Sequence, residues 1–104
     1  MNRPANAERG ETELIVDGRH LILRPSFENL VAAETELGSL FALVERASQG
    51  GLTLAEITAL LWHCLADEPR PPREQVGEAV MAIGLVAAIS PVRAILAQVL
   101  QGCA

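Results

Sequence analysis

The sequence predicts an α+β domain in which an N-terminal two-stranded antiparallel hairpin precedes a bundle of four to five helices. Within Glu11 to Arg24, ETELIVDGRHLILR, two alternating runs flank Asp17-Gly18. That dipeptide suits a two-residue turn with positive φ at both central residues. From Ser26 onward the apolar residues recur at helical spacing behind capping residues. Composition adds a third indication: 50% of the 104 residues are hydrophobic, yet only Phe27, Phe41 and Trp62 are aromatic. The core must then be aliphatic, and Leu, Ile, Val and Ala suit closely packed helices.

Residues 1–10, MNRPANAERG, are polar and aperiodic and read as a loose arm; residues 11–101 read as a single α+β domain, with the hairpin at 11–24 and helices within 27–101. A chain of this length buries roughly 60–65% of its unfolded surface. With Asp17-Gly18 as the loop, Val16 opposes Arg19, Ile15 opposes His20, Leu14 opposes Leu21 and Glu13 opposes Ile22. Strand alternation puts Leu14, Val16, Leu21 and Leu23 on one face. Glu11, Glu13, Ile15, His20, Ile22 and Arg24 fall on the other. An isolated hairpin is marginal in water, so the apolar face requires helical cover.

Pro25 cannot donate a ladder hydrogen bond and ends the second strand. Ser26 is a helix N-cap with Glu28 in the first turn, and Phe27, Leu30, Val31, Glu34 and Leu37 mark a helix from Phe27 to Leu37. Gly38 takes the C-cap position, and Ser39 begins a second short segment, Leu40 to Ala47, that either bends away from the first helix or continues it, with Gly38-Ser39 favouring the break. After the turn Gln49-Gly50-Gly51, Thr53 and Glu56 form a capping box ahead of Ile57, Leu60, Leu61, Cys64 and Leu65, which predicts a helix from Leu54 to Ala66. Pro69-Arg70-Pro71-Pro72 is an extended linker. A helix then runs from Arg73 to Ile83, with Val76, Val80 and Ile83 inward and Glu74 and Glu78 outward. Gly84 ends it. The last helix covers Leu85 to Leu100, with Ser90-Pro91 opening a fresh turn and a stripe of Val92, Ile95, Leu96, Val99 and Leu100.

The formal net charge is −5, and all eight basic residues are arginine. Residues 26–69 hold one of them, Arg46, against seven acids. An acidic helical surface repels phosphates, so nucleic-acid binding is not expected. The first ten residues hold no apolar core of a signal peptide, and no run reaches the ~20 apolar residues of a membrane span. The expectation is a soluble cytoplasmic chain with reduced thiols and no membrane partner.

A search for chemistry yields no catalytic or metal-binding constellation. His63 and Cys64 are neighbours on a helix, where i, i+1 side chains point apart. Cys64 falls in the apolar stripe, where a small buried hydrophobe is the expected role. Glu74 and Glu78 share a helix face without a histidine, which is the pattern of solubilising charge. No cofactor is expected. Four residues remain as candidate partner contacts. Trp62 and His63 lie at the edge of their helix stripe, and Ile15 and Ile22 lie on the outer face of a hairpin whose two strands are both edges. Those edges are either covered by another segment or used for strand addition.

Arg9-Gly10-Glu11, Asp17-Gly18-Arg19 and Leu23-Arg24-Pro25-Ser26-Phe27 follow one another in a recognisable order, with Glu34-Thr35-Glu36-Leu37-Gly38 behind them. Thr53-Leu54-Ala55-Glu56-Ile57, Gln75-Val76-Gly77-Glu78 and Gly84-Leu85 extend the series. Together they resemble the gene transfer agent family of small phage-tail proteins across about residues 9–100. The proline-rich linker is the departure from the family pattern. Members carry two labels, tail tube protein and tail assembly chaperone, and the resemblance implies no catalytic residues. The chaperone label implies a small helical protein that keeps the tape measure protein soluble during assembly and is absent from the finished particle. A tube subunit would instead need many strands, so two strands with four or five helices fit the chaperone. The implied partners are the tape measure protein and, beside it, the tail tube protein; a homo-oligomer stays open. The expected contact is a groove between the Leu54–Ala66 helix and the C-terminal helix, with Trp62 as anchor. The alternatives are a generic interaction or regulatory adaptor, a structural tail component, or an enzyme with Cys64 as nucleophile.

Overall fold

The computed structural model describes residues 11–101. In chain order these form β1 (Thr12–Val16), β2 (Arg19–Leu23), α1 (Phe27–Leu37), α2 (Leu40–Ser48), α3 (Leu54–His63), α4 (Arg73–Ile83) and α5 (Leu85–Gln101). The fold is α+β, a hairpin followed by five helices. The expected arm at residues 1–10 and the second cysteine, Cys103, lie outside the described residues.

Asp17 and Gly18 both have positive φ, 51° and 76°, as a type I′ turn requires. That turn sets the register Val16↔Arg19 through Thr12↔Leu23. Leu14, Val16, Leu21 and Leu23 are all buried in one core with residues of α3, α4 and α5, and β1 lies against α4 and α5. Glu11 was expected on the exposed face, yet it is buried, where Arg24 Nε donates to its carboxylate at 2.8 Å. The two residues sit opposite each other just beyond the last ladder pair, so a charged pair closes the open end of the hairpin.

The helix boundaries follow from local chemistry. Ser26 Oγ accepts from Asn29 N at the start of α1, and Gly38 closes it at φ 87°. Ser39 Oγ and the Glu34 carboxylate accept from Ala42 N and Leu40 N, the free donors at the start of α2. Both halves of the Thr53–Glu56 capping box are formed at α3. Gly84, at φ 88°, ends α4 and sets α5 at a bend of 117°.

Four further expectations change. The helix predicted to run to Ala66 stops at His63. Leu65 leaves the helix to bridge Leu23, with Ala66 N donating to Ile22 O at 2.9 Å and Arg24 N donating to Cys64 O at 2.6 Å. Cys64 and Leu65 are both buried beyond the helix end, so their apolarity could not show where the helix stops. Pro91 lies inside α5 and opens no new helix. The carbonyl it leaves without a donor belongs to Ala87, an exposed residue that can turn that oxygen to solvent. On α1 the inward face is Leu30, Ala33 and Leu37, while Phe27 is 85% exposed. On α4, Ala79 is buried in place of Ile83.

Candidate functional site

The Pro-rich linker folds back over Trp62, the only tryptophan of the chain. Trp62 Nε1 donates to Pro71 O at 2.9 Å, and the guanidinium carbons of Arg70 and Arg73 lie 5.1 and 4.6 Å from the ring centre. The His63 ring meets Trp62 edge-on at 5.0 Å. Arg70 reaches further, donating to Asn29 Oδ1 and His63 O at 3.1 Å each. The linker is thus tied to α1 and α3 by one arginine, and Trp62 is half-buried beneath it.

Glu36 sits at the other side of this cluster. Arg73 grips both of its carboxylate oxygens, at 2.6 and 2.9 Å, and His63 Nε2 lies 2.8 Å from one of them. These hydrogen bonds, Arg73's first and His63's second, hold the Glu36 carboxyl at about 2, against an ordinary value of 4.5. The stabilising contribution is complete above the ordinary value and is lost as pH falls from 4.5 through about 2. Glu36→Gln should therefore flatten the acid-side loss of stability in that window, measured by thermal unfolding across pH. Because the carboxylate is partly exposed, added salt should shrink the difference.

Cys64 points into the core, and burial pushes its thiol up to about 12. An activated cysteine would show the reverse shift. In a Cys103→Ser background, native protein should react with a thiol probe at least about a hundredfold more slowly than the urea-unfolded chain. Equal rates would contradict the core placement.

The sequence-predicted contacts fall in two places. Trp62 and His63 share the linker cluster, whereas Ile15 and Ile22 lie on the hairpin. The outward-facing backbone of β2 is already occupied by residues 64–66, and Ile22 is half-buried. Ile15 is 51% exposed and lines a cleft of about 580 Å³ with Gln75, Ala79 and Ile83 of α4. Glu36, Arg70 and Arg73 were not singled out from the sequence. Glu36 lies 27 residues from His63 and 37 from Arg73, separations with no local signature.

The groove expected between α3 and α5 is filled. Ile57, Leu60, Leu61, Val92, Ile95 and Leu96 all belong to one buried core. An open groove of about 820 Å³ runs instead between α3 and α4, floored by Leu54, Ala55, Thr58, Gly77 and Met81 and edged by Glu36, Arg73, Glu74 and Glu78. Among the described residues no cluster of three or more His, Cys, Asp or Glu side chains could hold a metal ion. No single described helix is long and apolar enough to cross a membrane.

Comparison with known families matches residues 9–102 to the family described as phage tail tube protein, GTA-gp10. The chain belongs to this family. No curated protein and no solved structure matches it significantly. The GTA-gp10 match covers the hairpin, the linker cluster and all five helices. Every feature described above is therefore part of a phage-tail component.

Proposed function

We propose that this GTA-gp10 family member is a tail assembly chaperone that binds the tape measure protein before tube subunits close around it. The observation that carries the reading is the size of the sheet. Among the described residues it has two strands and one bridging residue, beside five helices. A tube wall made of β-structure needs many strands from each subunit, with their edges paired or covered. The exposed apolar side chains lie mostly on helices instead: Phe27 and Val31 on α1, Phe41 on α2, Met81 on α4 and Val86 on α5. Surface of this kind suits temporary cover of another helical chain.

In this reading the work is done in the cytoplasm of the producing cell, with the tube protein as a second partner. Of the four residues named from the sequence, Ile15 offers a partner the most free surface, while Trp62 and His63 are only partly accessible within the linker cluster. The net charge of −5 disfavours nucleic acid as a partner. The test is co-expression with the tape measure protein of the same tail, followed by affinity capture. Co-elution, with more tape measure protein in the soluble fraction than without this chain, is the expected result. Insoluble tape measure protein beside folded, uncomplexed chaperone would overturn the reading.

A further inference from the structure

We propose that the groove between α3 and α4 receives a basic amphipathic helix, one with an apolar stripe flanked by two cations a single turn apart. This deepens the chaperone reading and rests on it, because it states the chemistry of the tape measure segment that would dock. The groove floor is apolar, with Leu54 39% and Met81 65% exposed to solvent. Both would lose that exposure under a bound helix. Gly77 adds no side chain to the floor, and a Cβ there would only touch Thr58 Cγ2, at 3.6 Å. The length also fits. From Arg73 to Met81 the α4 side of the groove extends about 12 Å, room for roughly two helical turns.

Charge selects the occupant. Three carboxylates edge the groove, and Glu36 is already saturated by Arg73 and His63. Among the described residues Glu74 and Glu78 have no hydrogen-bond or ion-pair partner. They are one turn apart on the same edge of α4, so their repulsion is relieved by cations spaced i, i+4 on a helix lying alongside. An acidic or purely apolar helix would leave that repulsion in place.

The test titrates the full chain with two fluorescently labelled helical peptides. They share one Leu/Ala stripe and carry either Arg or Glu at the flanking i, i+4 positions. The Arg peptide should bind at least about tenfold more tightly than the Glu peptide. Glu74→Arg with Glu78→Arg should reverse that preference. Both residues are exposed and unpaired, so the variant should stay folded, with a thermal midpoint only slightly below wild type because Glu74 lies in the first turn of α4, where a carboxylate favours the helix dipole. Met81→Asp should weaken both peptides. Equal affinity for the two peptides, or a preference unchanged in the double variant, overturns the proposal. So does a self-associated state, detected by sedimentation, that only the double variant disperses, since the occupant is then a second copy. Capture of the tape measure protein separates this proposal from the one it rests on. Equal capture by wild type and double variant sinks the groove and leaves the chaperone. No capture beside charge-selective peptide binding sinks the chaperone and leaves the groove.

Discussion

Leu21→Ala is expected to lower the free energy of unfolding by about 2–5 kcal/mol, a large share of the ~5–15 kcal/mol typical of such domains. Leu21 is 1% exposed and sits opposite Leu14 at the centre of the hairpin's inner face. That face is where the helices meet: residues of α1, α3, α4 and α5 join it in one core. Truncation removes the transfer energy of the lost methylenes and leaves a cavity. The buried core holds no aromatic side chain that could swing in to fill it. Glu13→Ala, on the opposite face, should change stability by less than about 0.5 kcal/mol, because its partner His20 is a solvent-exposed residue. Urea titration followed by circular dichroism measures both. Small and equal losses would contradict the face assignment.

Trp62→Ala should cost about 2–4 kcal/mol, less than a fully buried tryptophan because the ring keeps some access to solvent. Three things go at once: the ring's packing, its two cation–π contacts and the hydrogen bond to Pro71 O. Without the ring, Arg70 and Arg73 lose the surface that holds the linker against α3. Trp62→Phe keeps an aromatic surface and loses the N–H, so its cost should be nearer 1 kcal/mol. Unfolding must again be followed by circular dichroism, since the variant removes the only tryptophan. A loss under about 0.5 kcal/mol for Trp62→Ala would show that the linker is held without it.

Most of the fold was legible because its signals are local. Asp17-Gly18 specifies a turn whose register then determines which side chains face inward. Ser26, Ser39 and the Thr53–Glu56 pair each mark a helix start within four residues of sequence. Helix ends were less legible, since Leu65 continues an apolar stripe after the backbone has turned to bridge Leu23. The direction in which Phe27 points depends on where the hairpin leaves room, which no helical period contains. The linker cluster was the least legible part. Trp62 and His63 could be noticed as residues at a stripe edge, but Glu36, Arg70 and Arg73 gain meaning only when α1, α3 and the start of α4 converge. The groove moved for a related reason: the α5 stripe is spent in the core, leaving α4 as the open neighbour of α3.

The copy number of this chain in purified tail particles, compared with assembly intermediates, tests the chaperone account most directly. Quantitative mass spectrometry should find it with the tape measure protein in intermediates and absent from finished particles. Finding it in the particle at the stoichiometry of a tube subunit would contradict the account and assign this two-stranded, five-helix domain to the tube itself.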